Sequence, residues 1–363
     1  MSAASFLVVN ARLIDPASGL DRPGALWVRD GVIAALGEVP AVAAAAPARV
    51  IDARGRALLP GLVDLGFGLP ADAADARAHL AAAARGGVTA VVSPDPTRVA
   101  APGLPRIHAP PAGVAWLRPH DPAFGAGVVA AGAYATRLGL AGLPEAAEVA
   151  AVQRVIAAVR TGREPHHLAR LSTAAALAQV RQARAEGLPL SCDIGINHLH
   201  LTELDIGFYD AHCHLRPPLR TQRDRMALAQ GLADGTIAAL VSDHTVLGPD
   251  DKLAPFAETV PGAAGAGLLF SLAYKWARDS GLPLSRALAC VTSGPAALAG
   301  LAGGRLAVGA PADLCLADLD DDWLAPPAAP GAGIAATPFA GMMQPGRVCA
   351  TWVGGHPAWE TSF

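Results

Sequence analysis

The residues whose types could do chemistry are histidines and acids in short pairs. His198-Leu199-His200 and His212-Cys213-His214 are two His-x-His arrangements, and Asp243-His244 lies downstream. On a strand, residues two apart point to the same side, so such a pair can grip one metal ion from one face. A metal held this way makes a hydroxide nucleophile near neutral pH and polarises a carbonyl. Imidazoles have many other uses, and the preferred reading of both pairs is surface or hydrogen-bonded histidine. A third stretch has the shape of a ligand strand but not its ligands. Residues 60–70, Pro-Gly-Leu-Val-Asp-Leu-Gly-Phe-Gly-Leu-Pro, read as one buried strand, with Gly66 and Gly68 where a pair of side chains would project. Taken alone, two such glycines only bend a strand.

Weaker signals fall away. Ser172, Ser191 and Ser242 lack a Gly-x-Ser-x-Gly elbow. The glycines of residues 262–267 lack the strand–helix context of a nucleotide site and read as a loop. His166-His167 lies ahead of a helical pattern and reads as solvated.

These residues need a frame. Residues 6–10, 25–28, 50–52 and 57–59 are short apolar strand candidates, and Asp30-Gly31 is a hairpin turn leading into the run 32–36. Residues 304–316 read as turn then strand, and 348–355 as a strand closed by Gly354-Gly355; the proline-rich stretch 325–330 is a loop. Between these ends, strand-like runs at 89–92 and 237–241 alternate with amphipathic helices at 146–159, with Glu145 and Glu148 in its first turn, and 173–186, capped by Ser172 and stopped by Gly187. Alternation over this length predicts a β/α (TIM-like) barrel at residues 58–301. The barrel's site would lie at the C-terminal ends of its strands.

The bulk properties exclude several classes. The chain has 363 residues, 52% hydrophobic and 16% charged, with a formal net charge of -3. That leaves no electrostatic footprint for nucleic acid or an anionic membrane. No apolar run is long enough to span a bilayer, and residues 1–6 do not form a signal peptide. Five cysteines without paired spacing fit free buried thiols in a reducing cytoplasm.

Several segments, in order, resemble the bacterial dihydroorotases of the amidohydrolase superfamily. Pro60-Gly61-Leu62-Val63-Asp64 is similar to the start of their Pro-Gly-Leu-Val-Asp-x-His-x-His strand. Gly86-Gly87-Val88-Thr89, Leu138-Gly139-Leu140-Ala141-Gly142-Leu143-Pro144, Leu171-Ser172-Thr173, residues 192–202, Pro217-Pro218-Leu219-Arg220 with Asp224-Arg225, and Ser242-Asp243-His244 follow in the family's order. The resemblance implies a small β-sandwich domain built from residues 1–57 and 302–363 beside the barrel. In the family, a zinc centre hydrolyses or closes the dihydroorotate ring.

The departures from the family are concentrated at the site. Gly66 and Gly68 replace the first two zinc histidines, and Pro70 replaces the arginine that holds the substrate carboxylate. The substrate asparagine falls at Asp95 or Pro96, and the bridging acid or modified lysine has no counterpart around Arg154-Val155. Arg170 stands for a histidine, Arg216 for an asparagine and Leu247 for a histidine. His198 and Asp243 keep family positions, Asp243 that of the general base. A catalytic zinc needs at least three protein ligands. The expectation is therefore no metal, no cofactor and no catalytic residue.

On that resemblance the chain is a catalytically inactive dihydroorotase homologue, a structural subunit with aspartate carbamoyltransferase in pyrimidine biosynthesis. A homo-oligomer is compatible with this reading. The alternative is a working cyclic amidohydrolase of dihydroorotase, allantoinase or hydantoinase type, its zinc site reduced or rebuilt from His198, His200, His212 and His214. A third reading is a binding protein whose Arg170, Arg216 and Arg220 favour an anion in the emptied pocket.

Overall fold

The structure is a computed structural model that describes residues 5–38, 49–94, 99–325 and 336–361. Asp95, Pro96 and most of the proline-rich loop after Ala325 lie outside the described residues.

The two ends of the chain build one eight-stranded sheet. Phe6–Asp15 pairs antiparallel with Leu20–Arg29, which pairs with Val32–Gly37. The turn between the last two places Asp30 at φ 53° and Gly31 at φ 77°, the left-handed pair that matches the twist of a tight hairpin. Val50–Asp52 and Ala57–Pro60 run parallel to Phe6–Asp15. From the other end of the chain, Leu314–Asp318 pairs with Ala57–Pro60, and Arg347–Val353 and His356–Glu360 extend the sheet. Phe6, Val8, Leu13, Leu26, Leu58 and Trp352 pack into one apolar cluster, while Ile14, Ala57, Leu59 and Val348 of the same strands pack into the barrel's core.

The apolar stretch at residues 60–70 is not one strand. Ala57–Pro60 belongs to the terminal sheet, and Leu62–Asp64 opens the barrel by pairing with Val88–Val92. Gly61 is the crossing point: a Cβ there would sit 2.2 Å from the Thr89 side chain. Close approach of the Thr89 side chain to the Gly61 backbone, not apolar length, sets this boundary.

The barrel is β/α, as its alternating pattern predicts. Leu62–Asp64, Val88–Val92 and Arg106–His108 are parallel. So are Ala115–Leu117, His166–Leu168, Leu190–Gly195 and Ala239–Val241. Val88–Val92 is buried at every residue, as expected of a strand covered on both faces. Gly68 donates its N–H to the His244 carbonyl (2.8 Å), which joins the first strand end to the last. Arg106–His108 and Ala115–Leu117 are joined by residues 109–114 without a helix, and no ladder connects these two strands.

The helices Ala73–Arg85, Ala146–Gly162, Ala174–Ala185, Gln222–Asp234 and Leu269–Ser280 form the outer layer. Ser172 does not cap Ala174–Ala185; Thr173 does, its Oγ1 accepting the Ala176 N–H at 3.2 Å. The helix starts at Ala174, so Thr173, with extended backbone, is the residue in the capping place. Five cysteines are free and buried. Among the described residues, no helix is long and apolar enough to cross a membrane.

Candidate functional site

At the first strand end the space for ligands is filled. A Cβ on Gly66 would lie 2.7 Å from Val241 Cγ2, and one on Gly68 would lie 2.9 Å from the His244 carbonyl oxygen. No imidazole fits at either place unless the last strand end moves. Asp64 locks that approach. Its Oδ1 accepts the N–H groups of Gly66 (3.0 Å) and Ser242 (3.1 Å), and its Oδ2 takes the Ser242 hydroxyl. Burial pushes the Asp64 carboxyl above the usual carboxylate range, against these hydrogen bonds. Between the two glycines, Phe67 stacks on His244 with ring centroids 4.7 Å apart. His244 Nε2 lies 2.7 Å from His79 Nδ1, and burial depresses His244 to about 3. The glycines at 262–267 close the same end: a Cβ at Gly265 would lie 2.2 Å from the Ser242 carbonyl oxygen.

Across the mouth, a cation occupies the centre. Arg170 Nη1 pairs with Asp243 Oδ1 at 2.7 Å, and both side chains are almost wholly buried. Burial raises the Asp243 carboxyl, while Arg170 and then His198 oppose the rise. Both partners take left-handed backbone, Arg170 at φ 62° and Asp243 at φ 51°. Such a conformation is uncommon for a long side chain such as arginine and persists only where its surroundings hold it. The Arg170 N–H donates to Asp193 Oδ1 at 2.7 Å, and Asp193 Oδ2 lies 2.8 Å from His167 Nε2. His167 Nδ1 in turn lies 2.8 Å from Ser191 Oγ. His167 is therefore not solvated: it sits in the strand His166–Leu168, fully buried, with Trp116 against its ring at 3.9 Å.

The remaining histidines do not converge. His198 Nε2 faces the carbonyls of Pro217 (3.2 Å) and Pro218 (3.3 Å), and its Nδ1 is buried without a hydrogen-bond partner. His200 Nε2 faces the Leu272 carbonyl at 2.9 Å and is depressed to about 4 by burial. His212 is partly exposed beside Asp210. His214 is not on the surface: it is buried, lies 2.8 Å from Thr259 Oγ1, stacks on Phe256, and is held at about 4 by burial. Pro70 follows the glycine pair, half-buried, and Leu247 is buried. Arg216 is exposed at the edge of the mouth, and Arg154 pairs with Asp121 on a helix surface.

These residues do not fit zinc. Among the described residues, no group of three or more His, Cys, Asp or Glu side chains could hold a metal ion. The one carboxylate at the general-base position is already paired with a guanidinium, a permanent cation where a divalent ion would sit. The ring nitrogens of His198, His200, His212 and His214, from which a rebuilt site is drawn, face separate protein partners and do not meet at one point.

Sequence reasoning missed Glu148 and His79. Glu148 is buried and accepts the N–H groups of Ser172 (3.0 Å) and Thr173 (3.0 Å) with both their hydroxyls. Its place in a helical first turn gave no sign of this. His79 lies in an alanine-rich helix and was marked only by being its single histidine.

Residues 140–358 match the family model described as "Amidohydrolase family". A "Dihydroorotase-like protein" of Pseudomonas aeruginosa is 33% identical over 95% of this chain and 97% of the relative. The "Dihydroorotase" of Anaeromyxobacter sp. strain K is 32% identical over 96% of each chain. Among solved structures, the dihydropyrimidinase of Brevibacillus agri superposes with TM-score 0.80 at 18% identity, covering 98% of this chain and 95% of that one. The L-hydantoinase of Arthrobacter aurescens gives 0.78 at 21% identity, covering 99% and 96%. These likenesses carry the barrel with its β-rich domain, and the sequence relatives carry more: this chain belongs to the amidohydrolase family, among homologues of the dihydroorotase-like kind.

Proposed function

We propose that this chain is a catalytically inactive dihydroorotase-like protein that serves, in the cytoplasm, as a structural subunit with aspartate carbamoyltransferase. One observation carries the inactive part: the buried Arg170–Asp243 ion pair, 2.7 Å long, at the centre of the mouth. A hydrolytic amidohydrolase needs a polarised carbonyl and an activated water there. Asp243 bound to Arg170 is a poor base, and among the described residues no cluster of three or more metal-ligating side chains stands beside it. The assembly part rests on the family resemblance and on the separability of fold and site. An interface preserves barrel and helices while strand-end residues drift.

Two measurements test it. Purified protein, with and without added zinc, is assayed for dihydroorotate turnover; none is expected, and chelator-sensitive turnover would establish the working-enzyme alternative. Co-expression with the carbamoyltransferase is followed by size-exclusion chromatography with light scattering. A single co-eluting species is expected, whereas two independent peaks with unchanged transferase activity would end the assembly reading.

A further inference from the structure

Beside the ion pair lies a cavity of about 90 Å³ whose wall includes Arg118, Arg170, Arg216 and Arg220, with His120 and Glu148. The space holds a few waters or one small oxyanion. It is too small to enclose a drug-sized ligand. The charges are unequal. Glu148 spends both carboxylate oxygens on Ser172 and Thr173. Arg170 gives Nη1 to Asp243, and its buried Nε has no hydrogen-bond partner. Arg220 gives Nε to Ser172 Oγ at 3.2 Å and Nη1 to the Leu143 carbonyl at 2.8 Å, which fixes its plane. Glu148 on the cavity wall, with Asp224, Glu145 and Glu203, lends Arg220 some negative potential. Arg118 and Arg216 pair with no carboxylate among the described residues. A buried guanidinium with an idle N–H, and two unpaired ones at the rim, form a fork-shaped donor set for planar or tetrahedral oxygens.

We propose that this cavity is a binding site for a small oxyanion, a phosphate or phosphoryl group or a carboxylate. The inference stands apart from the assembly role: an oxyanion can occupy the cavity whether or not a partner binds. The anion completes the donor set of Arg170 and Arg220 from inside and draws the exposed Arg118 and Arg216 over the opening.

The test is calorimetric titration of the full chain with inorganic phosphate and, separately, with succinate, at constant ionic strength. One-site saturable binding is expected for at least one. Phosphate alone points to a phosphoryl ligand and succinate alone to a carboxylate. Arg216→Gln is expected to weaken the dissociation constant about tenfold, and Arg118→Gln/Arg216→Gln further, because each removes a charge-assisted hydrogen bond. Arg12→Ala, in the terminal sheet, should leave it unchanged. Both rim positions are exposed, so an unchanged Tm in anion-free buffer verifies folding. No saturable heat with either anion, or equal affinity in the double variant, overturns the proposal.

Discussion

The two sides of the barrel mouth have been closed in opposite ways. Around Gly66 and Gly68, side chains are absent and neighbouring groups fill the space: Val241, the His244 carbonyl and a stacked Phe67 form a close-packed plug. Around Arg170 and Arg220, charged side chains converge and a small cavity stays open beside them. The first side excludes ligands by volume; the second excludes cations by charge and leaves room for anions. A metal centre that needs both sides is blocked twice, so no single substitution rebuilds it.

The contrast can be broken in order of effect. Arg170→Met should be the most damaging, since it leaves Asp243 buried and uncompensated; breaking a buried pair costs about 3–5 kcal/mol. Denaturant unfolding would measure it, and Arg170→Met/Asp243→Leu should regain much of the loss. A loss under about 1 kcal/mol would mean that the pair does not anchor the mouth. Gly68→His should cost about 1–3 kcal/mol by overpacking against backbone, and Gly66→His a similar amount against a side chain. Neither variant, nor the double one, should bind zinc by elemental analysis; a stable double variant carrying one zinc per chain would show that the plug yields.

Acid acts on the barrel through buried histidines held neutral. His214 and His244 are depressed to about 4 and about 3 by burial. Below the ordinary histidine value of about 6.5 the unfolded chain takes up protons that the fold refuses. Stability is therefore full above that value and falls as pH drops towards these folded values, by at most about 1.4 kcal/mol per histidine per pH unit. Unfolding midpoints at pH 7 and pH 5 should show the fall, and His214→Asn should make it shallower. Arg154→Ala, outside the mouth, should cost about 1 kcal/mol or less, as exposed ion pairs do.

Much of the frame was legible in the sequence because it depends on local pattern. The Asp30-Gly31 turn, the strand at 88–92 and the helices at 146–162 and 174–185 follow from turn chemistry and periodicity. The break at Gly61 was not legible, because it depends on Thr89 lying against it. His167 was misread for the same reason: only the pairing of His166–Leu168 with Leu190–Gly195 brings Asp193 and Ser191 to its ring.

By itself, the sequence determined which donor atoms exist at each strand end: none at Gly66 and Gly68, a carboxylate at 243, a guanidinium at 170. Residue identity fixes what a position can ligate. Only the tertiary structure decided where the surviving groups point and what fills the space left behind. Asp243 and Arg170 are far apart in sequence and meet because separate strands end at one mouth. The glycines became a plug because close packing lets neighbouring groups advance into the space that side chains would fill.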